Sequence, residues 1–391
     1  MTQLRDQIPP PLARDTRVGS NIGPPDGPAP RIQYLDSLRG LAALSVAMFF
    51  HYQHFSAEVQ PGAPAPDQAP LYALPPVRLE YQYGAFAVDF FFILSGVVFS
   101  HVYARNIAEG RTLLGRFWGL RLARLYPIHL VTLLLVGLLA WAFHAMTGRF
   151  PIYQQNGAID FLLSLLFLQG GIVDRGLAFN GPSWSLSVEI LLYAVFYAVA
   201  RWRADRLAAL AMVAAGLAIL TSPVGYMLLV NVPTARGLIG FGLGMLIYRT
   251  IMTGERPALF LGGLGLFTAS MLGLRLASGN HKFGFAAVSA SLALALAALS
   301  RWRLPQRLLE VRPLLLLGDA SLSIYLVHVP IQIALLLAAA WAGLAVPYES
   351  FSFWAGYIVA VLAVAWAVHR WYEMPMRRLL RRRLGLALER A

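Results

Sequence analysis

An all-α, polytopic transmembrane helical bundle is predicted by three features: composition, the recurrence of apolar stretches, and the placement of arginine. Of 391 residues, 58% are hydrophobic and 13% charged, which is too apolar for the surface of a soluble globular domain. Mostly apolar stretches of roughly 20 residues, the length of a membrane helix, recur from about residue 37 to residue 372. Short cytoplasmic loops retain basic residues. With a cytoplasmic N-terminus, Arg105 to Arg124, Arg201 to Arg206, Arg301 to Arg312 and Arg377 to Arg383 all fall on the cytoplasmic side.

About ten spans follow, at 37–55, 84–104, 126–146, 183–200, 206–221, 236–250, 257–277, 283–300, 314–341 and 351–370, with both termini cytoplasmic. The apolar stretch Asp160–Ile172 is short and would invert the later loops if it crossed, so it is expected to be re-entrant or interfacial, turning at Gly170-Gly171. Loop 56–82 is expected to lie outside and to be too proline-dense for a regular element. Residues 1–33, which lack an apolar signal core, are expected to form a disordered cytoplasmic tail, 34–376 the membrane domain, and 377–391 a basic tail. A bacterial cytoplasmic (inner) membrane is the expected location.

The net charge of +13 does not point to nucleic acid, because the basic residues lie between membrane-length apolar stretches. With no cysteine in the chain, disulfides, thiolate metal sites and a cysteine nucleophile are excluded. No His/Asp/Glu cluster has metal-ligand spacing, and neither a phosphate-binding glycine loop nor a Gly-x-Ser-x-Gly elbow is present. No metal is therefore expected.

Ionisable groups within membrane helices are costly, which makes each a functional candidate. The first span reads YLDSLRGLAALSVAMFFHYQHF, with Asp36 and Arg39 near one end and His51 and His54 near the other. At 1.5 Å per residue, Arg39 and His51 lie about 18 Å apart along a helix, far enough to serve two ends of one long ligand. Asp36, three residues before Arg39, is either a helix cap or that arginine's partner. Glu189 stands in an apolar helix just after Trp184-Ser185, either as a structural partner or as a group acting on the acceptor or the histidine. Asp89 has the same two readings. Ser321, Ser323, Tyr325 and His328 form a polar strip on the ninth span, for bundle hydrogen bonds or for lining a pocket.

LDSLRGLAAL followed by a histidine resembles the opening motif of the membrane acyltransferase 3 family. VDFFFILSG (Val88–Gly96), RFWGLRLARLYPIHL (Arg116–Leu130), NGPSWSLSVEILLY (Asn180–Tyr193), ARGLIGFGLGM, LGDASLSIYLVHVPI and YEMPMRRL resemble its further blocks in order, from about Tyr34 to Arg383. The resemblance implies an O-acyltransferase, with acetyl-CoA or another acyl-CoA as cytoplasmic donor and a carbohydrate or glycoconjugate as acceptor on the outer side. It casts His51 as general base or transient acyl carrier and Arg39 as a ligand of the CoA phosphates. Arg116, Arg121 and Arg124 would hold further phosphates, or simply mark a cytoplasmic loop. Glu189 would join the chemistry, supported by Asp36, Asp89, Trp184, Ser185, Tyr325 and His328. Membrane lipid and glycan-assembly proteins are the other partners implied.

One departure stands out. The family pattern has ten residues between the basic residue and the histidine, whereas eleven separate Arg39 from His51. One extra residue rotates a side chain by about 100° on a regular helix. Either a π-bulge or local unwinding absorbs it, or Phe50 occupies the usual histidine position, with His54 as second choice. A transporter or flippase, or a channel handing acyl groups to a separate transferase, is the rival class, although no paired broken-helix repeats are evident.

Overall fold

The structure, a computed structural model, describes residues 30–203, 205–222, 228–254, 257–279 and 282–386. The expected N-terminal tail up to residue 29 and the last five residues lie outside the described residues. Apart from one isolated bridge, Gln169 to Val173, regular structure among the described residues is helical. The helices are α1 (Gln33–Ser45), α2 (Pro75–Tyr83), α3 (Ala87–Val102), α4 (Ala104–Ala108), α5 (Leu114–Thr147), α6 (Ala158–Leu165), α7 (Trp184–Arg201) and α8 (Asp205–Thr221). The second half adds α9 (Val232–Ile247), α10 (Pro257–Ser278), α11 (Lys282–Leu299), α12 (Arg303–Leu309), α13 (Arg312–Asp319), α14 (Ser321–Ala342), α15 (Phe351–Val368) and α16 (Met374–Arg383). Seven helical stretches among the described residues are long and apolar enough to cross a membrane. Leu134, Leu138, Leu266 and Val359 stay exposed on such stretches, as lipid-facing side chains do.

Several boundaries differ from those expected. The helix that carries the third span begins at Leu114, so the basic stretch holding Arg116, Arg121 and Arg124 is helix rather than loop. At 34 residues, α5 is about 51 Å long and outruns a hydrocarbon core of about 30 Å. The expected ninth span breaks at Ala320 into α13 and α14. Loop 56–82 is more regular than its prolines predicted, because Pro75 and Pro76 occupy the first turn of α2, where a missing N–H costs nothing. Within the basic stretch 377–391, residues 377–383 belong to α16.

The segment at Asp160–Ile172 turns as expected. α6 has eight residues, about 12 Å, which is too short to cross. Gly170 then takes φ +76°, and a Cβ on Gly171 would lie 2.9 Å from the Val188 backbone, so the two glycines press the turn onto α7. The Gly171 carbonyl accepts from Thr234 Oγ1 at 2.6 Å, which ties the turn to α9 as well.

Small residues bring other helices close. α3 crosses α9 at Gly96 and Gly244, where an added Cβ would meet Phe241 O at 2.2 Å and Ile93 O at 2.1 Å respectively. Neither carbonyl can withdraw without moving its helix. Gly96→Ala is therefore expected to destabilise the protein by on the order of 1–3 kcal/mol, read as an earlier thermal unfolding in detergent. Unfolding at the wild-type temperature would show that the two helices have room to part.

Candidate active site

Two cavities, one rich in arginine and one in histidine, adjoin the first half of α14: Ser321 and Tyr325 line the first, and His328 and Gln332 bond the histidines of the second. The first, of about 70 Å³, is lined by Arg39, Arg121, Arg124, Ser95, Ser185, Glu189, Tyr193, Ser321 and Tyr325 among apolar side chains. The structure thus gathers Arg39, Arg121, Arg124, Glu189, Ser185 and Tyr325 from α1, α5, α7 and α14, parts of the chain far apart in sequence. Three arginines against one carboxylate leave the cavity positive. Arg121 is buried with its guanidinium over the rings of Phe99 and Tyr103, hydrogen-bonded to the Tyr103 hydroxyl. Among the described residues its Nε has no hydrogen-bond partner. Glu189 accepts from Ser95 Oγ at 3.0 Å.

Arg116 does not line this cavity. Asp36 is not a cap: it lies in the first turn of α1 and pairs with Arg39 at 3.4 Å and with Arg31 at 2.5 Å. Arg31 reaches on to Asp319 at the end of α13, beside the close contact of Gly40 with Gly318. This network anchors the start of α1 and holds Arg39 towards the cavity.

Asp89 belongs elsewhere. Fully buried on α3, it binds Arg236 of α9 through Oδ1 at 3.1 Å and Oδ2 at 2.5 Å, and Ser289 of α11 donates to it at 3.3 Å. The Arg236 guanidinium packs over Trp184, 5.2 Å from the ring centre. Trp184 therefore supports α7 from behind and does not line either cavity. Sequence reasoning placed Arg236 at a span edge and passed over it, although a cation in an apolar helix was itself the signal.

The second cavity, of about 230 Å³, is lined by Phe50, His51, Gln53, His54, Glu58, Val59, Tyr153 and Leu177. The extra residue of the first span is absorbed here, because α1 passes at Val46–Phe50 into a π-helix that ends at His51. A π turn takes in one more residue than an α turn, which brings His51 round to face α14. His51 Nδ1 lies 2.8 Å from His328 Nε2, the two rings nearly parallel and meeting edge to edge, and the His54 ring is nearly parallel to that of His51 with its centre 4.7 Å away. Phe50 lines the same cavity, its ring 5.1 Å from that of His51.

His54 is held differently. Gln332 donates through Nε2 to the His51 carbonyl at 2.7 Å and to Tyr357 at 3.0 Å, so its Oε1 accepts from His54 Nδ1 at 2.9 Å. Gln332, one turn beyond His328, was missed, although the same strip carries it.

Pro330 shapes this part of α14. With no N–H to offer, it frees the Leu326 carbonyl, and Asn180 Nδ2 fills that place at 3.0 Å. The loop before α7 is thus fastened to α14. Ser185 Oγ and Tyr325 Oη come within 3.1 Å of each other, and both bond the Pro182 carbonyl. Of the remaining polar strip, Ser323 turns away to Glu373, which also accepts from His369.

The fold and these two cavities define a multi-pass membrane protein with a polar site inside its bundle. Residues 32–370 match the acyltransferase domain family, acyltransferase 3, and the chain belongs to it. It is a membrane acyltransferase. The chain is 30% identical over 187 residues to protein 2 in the picA locus of Rhizobium radiobacter, covering 45% of this chain and 85% of that one. It is also 33% identical over 171 residues to the acyltransferase MdmB of Streptomyces mycarofaciens, covering 43% of this chain and 39% of that protein. No solved structure matches.

Proposed function

We propose that the protein moves an acyl group, most simply acetyl, from cytoplasmic acyl-CoA to a hydroxyl of a carbohydrate or glycoconjugate on the outer side of a bacterial cytoplasmic membrane. One observation carries this reading: a single face of α14, from Ser321 and Tyr325 to His328 and Gln332, runs from the arginine cavity to the histidine cavity. The CoA phosphates would be held by Arg39, Arg121 and Arg124, which line the arginine cavity, with the acyl thioester beside them. The unpartnered Nε of Arg121 fits such an anion. The acceptor would enter the other cavity, beside Phe50 and Tyr153.

In the reaction, His51 removes the proton of the acceptor hydroxyl as its oxygen attacks the thioester carbonyl. The C–S bond breaks, and the departing CoA thiolate takes the proton back from the His51 imidazolium. To bond the carbonyl oxygen as its charge grows, the hydroxyls of Tyr325 and Ser185, on the wall of the arginine cavity, would turn from the Pro182 carbonyl to which each donates. An acyl-histidine intermediate would use the same groups in two steps.

The reading is tested with purified protein in lipid vesicles, radiolabelled acetyl-CoA and a panel of glycans. Label is expected to pass to one of them; substrate flux across the vesicles with no transfer would favour a transporter instead. Arg39→Gln is expected to raise the KM for acetyl-CoA about 10- to 100-fold, since a hydrogen bond to a charged group contributes about 1.5–3 kcal/mol. An unchanged KM would remove Arg39 from the donor site.

A further inference from the structure

The hydrogen bonds of two histidines assign a role that family membership does not supply. His328 is fully buried, with Nδ1 3.3 Å from the Ile324 carbonyl oxygen and Nε2 2.8 Å from His51 Nδ1. A carbonyl oxygen only accepts, so the hydrogen of a neutral His328 ring sits on Nδ1, and Nε2 is left as an acceptor. The hydrogen between the rings then belongs to His51 Nδ1. That leaves His51 Nε2 with the lone pair.

We propose that His328 is the positioning residue of His51, fixing by one hydrogen bond both its ring angle and the tautomer whose bare Nε2 takes the acceptor's proton. Neutral imidazole here fills the place that a carboxylate fills in a serine-protease triad. The arrangement is constrained on three sides. The His328 ring at 5.0 Å and the His54 ring at 4.7 Å are both nearly parallel to the His51 ring, while Gln332 holds the His51 carbonyl. The π-helix before His51 is what brings its Nδ1 to α14, so the extra residue of this chain and the histidine pair belong together. When Nε2 gains the proton, the positive charge is shared through Nδ1–H with His328 Nε2. His328 itself exchanges no proton with substrate.

The inference rests on His51 being the base, and the experiment separates the two. Protein carrying ¹⁵N-histidine is reconstituted in lipid nanodiscs, with the His51 signals identified by their loss in His51→Ala, and transfer is measured on the same samples. Wild type is expected to show a protonated Nδ1 and a bare Nε2 at His51. Glutamine can place its Oε1 where His328 Nε2 lies, so His328→Gln is expected to keep that tautomer and to transfer within about tenfold of wild type. His328→Leu is expected to give mixed tautomers and about 10²-fold slower turnover. If the leucine variant does not fold, His328→Asn, one methylene too short to reach, replaces it.

A protonated Nε2 at His51 in wild type would overturn the inference. So would a leucine or asparagine variant that transfers at the wild-type rate while His51→Ala is inactive. Full activity of His51→Ala would instead overturn the reading of His51 as base, and this inference with it.

Discussion

His51→Ala is expected to slow acyl transfer by about 10²- to 10⁴-fold, the usual contribution of a positioned general base, with little change in the KM for acyl-CoA. The loss should fall on turnover because the arginine cavity, which is proposed to hold the donor, does not include His51. The fold should survive: among the described residues the His51 side chain makes one hydrogen bond, to His328, and its backbone carbonyl remains available to Gln332. His54→Ala is the informative comparison. That ring lines the same cavity but is bonded to Gln332 and stands 3.5 Å from the Tyr153 hydroxyl, so its removal is expected to cost about tenfold or less. Should His54→Ala prove the inactive variant and His51→Ala the active one, the base is His54, and the π-helix serves packing alone. Equal activity of both variants with wild type would discard histidine chemistry altogether.

How far the site could be read in advance follows from which features are local. Arg39, Glu189 and the paired histidines stand out because a polar group in an apolar stretch is conspicuous one residue at a time. Cavity membership is different, since it depends on helix rotation and neighbour choice, to which periodicity within one span is blind. Arg116 and Arg121 look alike in RFWGLRLAR, yet only Arg121 faces inward. The eleven-residue spacing signalled an irregular first helix, and the π-helix at Val46–Phe50 is that irregularity. Whether a bulge or an altered register absorbs the extra residue depends on contacts with α14, which lies some 280 positions later in the chain. Asp89 was legible as a buried charge in need of a structural partner, but the partner itself was not, because Arg236 is 147 residues distant.

That ion pair carries the second large effect. Asp89→Asn or Arg236→Met alone is expected to destabilise the protein by about 3–5 kcal/mol, the cost of leaving one buried charge without its partner. The geometry places this pair at the high end. Asp89 is fully buried, and Arg236, only 11% exposed at its side chain, gives two bonds to the carboxylate and a third to the Ala85 carbonyl at 3.1 Å. The rings of Phe86, Trp184 and Phe285 surround the guanidinium, leaving little room for water to solvate it once Asp89 is neutral. Replacing both partners together, as in Asp89→Leu with Arg236→Met, removes the stranded charge and is expected to recover most of the loss. Thermal unfolding of the three variants in one detergent measures this, and a double variant no more stable than the singles would show that the charges do more than satisfy each other. Activity divides the remaining possibilities. Arg236 borders the site through Trp184 and the start of α7, where Ser185 meets Tyr325. A double variant that regains stability should therefore keep the histidine chemistry and lose at most the precision of the α7 wall. A stable double variant with no transfer at all would place the pair in the site itself.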